Sequence, residues 1–147
     1  MDVLKIKKMD PRAIVPLRAT PGSACIDLHA LLDAPLILEP GMHCLIHSGL
    51  SIEMPSPDCV ALIFSRSGMG IKHGITLSNS VGVIDSDYRG ELCIGLVNHG
   101  KMPYTIQPND RVAQLMVIRH LALQVEVVDE LEETERGSGG FGSTGSN

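Results

Sequence analysis

The sequence predicts an all-β, jelly-roll-like sandwich or barrel with a flexible glycine-rich C-terminal tail. Its apolar residues come in short runs of strand length, and turn-forming residues separate the runs. No window shows a sustained apolar period of 3.6 residues with capping residues, so little helix is expected. Regularly spaced short strands of this kind are typical of β-sandwiches, jelly rolls and barrels.

The elements follow from the positions of these runs. Apolar runs predict strands at 36–38, 60–64, 92–97 and 112–118. Between them lie turn formers at 39–41, 55–58, 98–100 and 107–110, where Pro, Gly, Asn and Asp favour chain reversal. One helical turn is predicted near 67–72.

The length of the chain indicates one domain, and its charge pattern limits the kinds of ligand. At 147 residues the chain suits a single core, which we place at 1–135, before a glycine-rich segment at 136–147. The net charge is −5, and the 12 Lys and Arg are scattered. This pattern argues against a nucleic-acid surface but allows a small anion held by local arginines.

The sequence also predicts a cytoplasmic protein without a membrane segment. No apolar stretch approaches 18 residues, and residues 1–8 carry charges where a signal peptide needs an apolar run. The four cysteines form no C-x-x-C pair, so free thiols are expected. His43 and His47 lack the Glu and helix of a zinc motif and are predicted to share a strand face.

Two polar segments follow apolar runs and suggest ligand binding. Residues 82–91 hold Asp85, Asp87 and Tyr88, and we expect them to form a hairpin tip, although Asp and Ser are also ordinary turn residues. Residues 65–68, Ser-Arg-Ser-Gly, offer hydroxyls, N–H groups and an arginine at the predicted helical turn. They form a plausible anion cradle.

The tail supports two interpretations. Gly- and Ser-rich ends are commonly disordered, but Arg136, the hydroxyls and Phe141 also suit a lid that orders on a nucleotide. The tail contains G-x-G-x-x-G, but it lacks the strand and helix of a dinucleotide fold. It also lacks the lysine of a phosphate-binding P-loop.

These segments, with 24–28 around Asp27 and 111–115 around Gln114, resemble in order the five motifs of the homotrimeric dUTP pyrophosphatases (dUTPases). The resemblance spans 24–145. It implies a jelly-roll protomer, a homotrimer with sites shared between subunits, and Mg²⁺-dependent hydrolysis of dUTP to dUMP and pyrophosphate.

The resemblance also implies roles for individual residues. Asp85 matches the general base that activates water, Tyr88 the residue against the deoxyribose, and Asn79 a side chain that helps to recognise uracil. Asp27 matches a carboxylate that contacts magnesium indirectly, through water. The remaining substrate-binding positions implied are Arg66, Ser67, Gly68, Gln114, Arg136, Phe141, Ser143 and Thr144.

Two departures and two alternatives accompany the resemblance. The chain has Ser65 where the family usually has proline and Cys25 where glycine is common. Both replacements bear on local backbone geometry more than on chemistry. Deoxycytidine triphosphate deaminases share the fold, but Gly95 stands where their glutamate base is expected, so deamination is unsupported. A non-catalytic oligomeric scaffold would be indicated by loss of the base or tail, and both are present.

Overall fold

The structure, a computed structural model, describes residues 2–140. Within this range the chain forms eleven strands and one short helix, which confirms the predicted all-β, jelly-roll-like fold. The elements are β1 (Lys5–Lys8), β2 (Ile26–His29), β3 (Leu36–Leu38), β4 (His43–His47), β5 (Leu50–Glu53), β6 (Cys59–Ser65), α1 (Ser67–His73), β7 (Ile75–Leu77), β8 (Gly82–Ile84), β9 (Cys93–Asn98), β10 (Tyr104–Ile106) and β11 (Arg111–Arg119).

Two antiparallel sheets form the body of the protein. The first has the strand order β2-β11-β6-β8 and the second β4-β9-β7, while β1 pairs with β5 and β3 with β10. Buried aliphatic residues of both main sheets belong to one cluster, so the sheets share a core. Its fully buried members include Leu28, Ile46, Leu96, Ile106 and Leu115.

The predicted strands and helix are confirmed. The run at 36–38 is β3, and the other three runs coincide closely with β6, β9 and β11. Helix α1 occupies the predicted helical turn and ends at Gly74, whose φ of 72° places it in the left-handed region. Glycine suits this position because a Cβ there would collide with the backbone of Gly100.

The predicted hairpin at 82–91 is wrong. Strand β8 pairs with β6, whereas β9 pairs with β4 and β7 in the other sheet. The segment between them is therefore a crossover that connects the two sheets. Local apolar runs flanking a turn indicate two strands but not which partner each strand chooses, because pairing is decided by distant residues.

The expectations about the two histidines of β4 and about the cysteines are also met. His43 and His47 both lie exposed on the same face of β4. The four cysteines are free. No helix within residues 2–140 is long and apolar enough to cross a membrane.

Candidate active site

A cavity of about 190 Å³ lies beside the crossover from β8 to β9. Asp85 follows directly after β8, and Tyr88 lies three residues further along the same loop. Both side chains line the cavity and both are exposed. The cavity thus combines a solvent-accessible carboxylate with an aromatic ring; its complete lining is Val83, Ile84, Asp85, Tyr88, Glu91 and Cys93.

The crossover loop holds Tyr88 in a defined position. Its hydroxyl donates to the carbonyl of Glu91 at 3.0 Å, and its N–H donates to the carbonyl of Asp85 at 3.2 Å. A Cβ at Gly90 would collide with the Tyr88 ring. Glycine at position 90 therefore lets the tyrosine fold back over its own loop.

A second polar cluster joins three segments that are far apart in sequence. Both carboxylate oxygens of Asp27 are engaged, Oδ1 by Arg66 Nε at 3.1 Å and Oδ2 by Arg111 Nη1 at 3.2 Å. Arg66 Nη1 also donates to the Arg111 carbonyl at 3.0 Å. The Asp27 side chain is only 19% exposed, so these ion pairs are partly shielded from water.

Strand register explains this convergence. In the first sheet Gln114 lies opposite Asp27 on β2, and its neighbour Ala113 lies opposite Ser65 at the end of β6. The Gln114 side chain donates to the Ser65 carbonyl at 2.9 Å. We name Asp27, Arg66, Arg111 and Gln114 the arginine cluster.

Ser67 and Gly68 extend this cluster into helix α1. Both are exposed in the first turn of the helix, immediately after Arg66. The Oγ of Ser65 accepts a hydrogen bond from the Leu77 N–H at 2.8 Å. This hydrogen bond ties β6 to β7.

Two further predicted residues lie outside these groups. Asn79 is exposed in the turn between β7 and β8 and does not line the Asp85–Tyr88 cavity. Arg136 is exposed, and its Nε donates to the carbonyl of Gly139 at 2.9 Å. Phe141, Ser143 and Thr144 fall outside the described residues.

The cavity and the arginine cluster lie toward opposite ends of β6. Ile84, which precedes Asp85, pairs with Ala61, whereas Arg66 follows the last residue of the strand. Five residues of strand at about 3.4 Å each separate the two positions by roughly 17 Å. Asp85 and the arginine cluster are therefore two separate groups of polar residues within one chain.

Sequence inspection missed four residues around the cavity and the cluster. Arg111 begins a recognised segment, but its ion pair with Asp27 depends on strand pairing. Glu91 and Cys93 line the cavity, and His47 contacts both of them from β4. Their sequence separation left no local pattern that could have revealed them.

Charge and burial set the ionisation of Glu91 and Cys93. Burial acts to raise the pKa of Glu91, but hydrogen bonds from His47 and the Gly49 N–H outweigh it and leave the pKa lowered. Burial, together with the neighbouring Glu91 charge, raises the pKa of the Cys93 thiol. These shifts favour an ionised Glu91 carboxylate beside a neutral Cys93 thiol.

Gly95 on β9 lies close to Ser78. A Cβ at position 95 would meet the Ser78 hydroxyl, which would have to rotate away to admit a side chain. The chain carries no carboxylate at the position where a deaminase base is expected.

Comparison with known families adds the deciding observation. The dUTPase family model matches residues 11–145. The chain belongs to the dUTPase family. The deoxyuridine 5'-triphosphate nucleotidohydrolase of Methylibium petroleiphilum is 50% identical over 147 residues, which cover 99% of each chain. The protein of the same name from Coxiella burnetii is 52% identical over 141 residues, or 96% of this chain and 93% of the relative.

Solved dUTPase structures agree with this membership. A Staphylococcus bacteriophage 80alpha dUTPase mutant with dUpNHpp matches at a TM-score of 0.88 and 25% identity, covering 98% of this chain and 99% of the phage protein. A dUTPase mutant from phage phi11 of S. aureus, whose structure concerns coordination of a structural Mg(II) ion, matches at a TM-score of 0.79 and 23% identity over 89% of this chain and 99% of that one. The phi11 match shows the fold alone.

Proposed function

We propose that this dUTPase-family protein hydrolyses dUTP to dUMP and pyrophosphate. The observation that carries the proposal is the cavity that joins the Asp85 carboxylate to the Tyr88 ring. The full-length similarity to nucleotidohydrolases named for deoxyuridine 5'-triphosphate identifies the substrate class.

In this proposal Asp85 is the general base. Its exposed carboxylate orients a water molecule and takes its proton as the water oxygen attacks the α-phosphorus. The bond from that phosphorus to the α–β bridging oxygen breaks, and pyrophosphate leaves with the bonding electrons. A general base contributes about 10²–10⁴-fold to the rate, so positioning and charge stabilisation supply the larger share.

Tyr88 and Asn79 provide selectivity. The Tyr88 ring, held by its hydrogen bond to Glu91, packs against the deoxyribose and leaves no room for a 2′-hydroxyl. Asn79 and loop backbone groups bind the uracil edge, whose donor and acceptor pattern differs from that of cytosine.

The arginine cluster and the tail bind the triphosphate. Asp27 holds Arg66 at the start of α1, beside the hydroxyl of Ser67 and the backbone of Gly68. Gln114 contacts the phosphates from β11, and Arg136 binds the γ-phosphate from the tail. Phe141 stacks on uracil, and Ser143 and Thr144 contact the terminal phosphates. Guanidinium and hydroxyl groups suit this role because they complement phosphate oxygens.

The residues present are compatible with Mg²⁺ held mainly by the substrate. Each Asp27 oxygen accepts one ion-pair contact, which leaves lone pairs for water. Asp27 would hold the ion through water, because Mg²⁺ retains several waters and prefers phosphate oxygens. When bound, the ion would offset phosphate charge.

The distance between Asp85 and Arg66 along β6 supports a site shared between subunits of a homotrimer. A base must lie within hydrogen-bond reach of its water, about 2.6–3.2 Å. Asp85 and Arg66 of one chain are too far apart along β6 to serve adjacent phosphates. Apposition of two copies would bring Asp85 of one beside Arg66 of the next.

The segment after β11 supplies a surface for such an assembly. Leu121, Leu123, Val125 and Val127 occupy every second position and are each at least 79% exposed; the residues between them are Ala122, Gln124 and Glu126. Alternation with period two is the pattern of a strand with one apolar face. We name residues 120–131 the C-terminal arm and propose that it packs against a neighbouring copy.

Assay of the purified chain with each of dUTP, dTTP, dCTP and UTP tests the function. We expect Mg²⁺-dependent pyrophosphate release from dUTP, with little turnover of the others and no ammonia release. Comparable rates on dCTP or UTP would refute the proposed specificity. Ammonia release from dCTP would instead support a deaminase.

A further inference from the structure

His47, Glu91 and Cys93 form a compact group of three potential metal ligands. His47 Nδ1, a Glu91 carboxylate oxygen and Cys93 Sγ all lie within 4.8 Å of one another. Two of them come from adjacent strands, because His47 on β4 pairs directly with Cys93 at the start of β9. Glu91 lies two residues before Cys93 in the crossover loop.

The spacing of the three atoms approaches that of a tetrahedral site. Zinc–nitrogen and zinc–sulfur bonds of about 2.0 and 2.3 Å place the two ligand atoms about 3.5 Å apart. Cys93 Sγ lies 3.6 Å from His47 Nδ1. The separation of 2.8 Å between His47 Nδ1 and Glu91 Oε2 would need to open only slightly as an ion replaces their hydrogen bond.

The group also has a supporting contact and access to solvent. The Oε1 atom of Glu91 accepts a hydrogen bond from the Gly49 N–H at 2.7 Å. This contact orients the other carboxylate oxygen, Oε2, toward His47. The His47 side chain is 54% exposed, so an ion has a path to the group. Three protein ligands leave a fourth position for water.

We propose that His47, Glu91 and Cys93 bind a thiophilic divalent cation of the Zn²⁺ class. Mixed nitrogen, sulfur and oxygen donors suit Zn²⁺ and Co²⁺, whereas Mg²⁺ prefers oxygen alone. The site is thus chemically distinct from a substrate-bound Mg²⁺. Binding displaces the protons on the Cys93 thiol and on His47 Nδ1, where that nitrogen carries one.

Titration of the reduced full-length protein with Co²⁺ tests this proposal. We expect one Co²⁺ per chain with a thiolate-to-cobalt charge-transfer band, and displacement of Co²⁺ by Zn²⁺. His47→Gln and Cys93→Ser should each weaken binding by at least about 100-fold, since even outer contacts of a metal ligand account for 10–100-fold. Glu91→Gln provides a third ligand removal should either variant fold poorly.

His43→Gln and Cys44→Ser are matched controls, since both residues lie on β4 outside the group. Each should bind Co²⁺ as the unmodified protein does. Melting curves without metal verify that every variant is folded. The proposal is overturned if the unmodified protein shows no charge-transfer band, or if the folded ligand variants bind Co²⁺ as tightly as it does. It is also overturned if the control variants lose as much affinity for Co²⁺ as the ligand variants do.

Discussion

Two carboxylates in the crossover loop differ in the surfaces they face. Asp85 lines two neighbouring cavities, both of which Val83 also lines, whereas Asp87 lines neither. Both residues are exposed, so burial alone does not distinguish a base from a turn residue. The cavities that each side chain lines do distinguish them, and substitution of each aspartate in turn tests which one is the base.

Asp85→Asn should lower turnover of dUTP by at least about 100-fold, because an amide cannot accept the proton of the attacking water. Size and fold are preserved, so binding of dUpNHpp should persist. Steady-state kinetics and calorimetric titration measure the two quantities. Asp87→Asn is the matched control and should retain near-native turnover. If Asp87→Asn lost turnover and Asp85→Asn kept it, Asp87 would be the general base.

Gly90→Ala should displace the Tyr88 ring, because the added Cβ collides with it. We expect kcat/KM for dUTP to fall by roughly 10- to 100-fold, as small misplacements in an active site do. Discrimination against UTP should fall as well. Gly22→Ala, where an added Cβ meets no atom within 4 Å, should change neither quantity.

Roles tied to long, ordered motifs could be proposed from the sequence at residue level, as for Asp85 and Tyr88. Roles that depend on contacts between distant strands could not. Arg111 meets Asp27 only because β11 pairs with β2, and His47 meets Cys93 only because β4 pairs with β9. No local spacing encodes either contact.

The strands and helix were more predictable than their pairing. Short apolar runs and turn residues placed β3, β6, β9, β11 and α1, because side-chain alternation and turn chemistry are local. The crossover between β8 and β9 was mistaken for a hairpin, since sheet partners depend on the whole core.

Ser65→Ala tests the tie between β6 and β7. The variant leaves the N–H of buried Leu77 without its hydroxyl acceptor. We expect the free energy of unfolding to fall by about 1–3 kcal/mol, the cost of an unsatisfied buried donor. Urea denaturation at fixed protein concentration measures it, and an unchanged midpoint would show that the hydrogen bond contributes little.

In the whole molecule the C-terminal arm leaves Leu121, Leu123, Val125 and Val127 without cover from residues 2–140 of its own chain. Val125→Asp should weaken assembly, because a carboxylate would be buried at the proposed interface without a partner. Light scattering should show a lower mass and the assay a lower turnover. Gln124→Asp, on the alternate face of the arm, should remain trimeric; an equal effect of both variants would contradict an apolar interface.

The most direct test of a shared catalytic site combines two inactive chains. Asp85→Asn and Arg66→Ala subunits carrying different tags are co-expressed, and trimers containing both are purified. In a cyclic trimer whose sites take Asp85 from one subunit and Arg66 from the next, one site per mixed trimer is intact, so turnover should recover to about one third of the native value. Mixed trimers as inactive as either parent would show that each site lies within one chain.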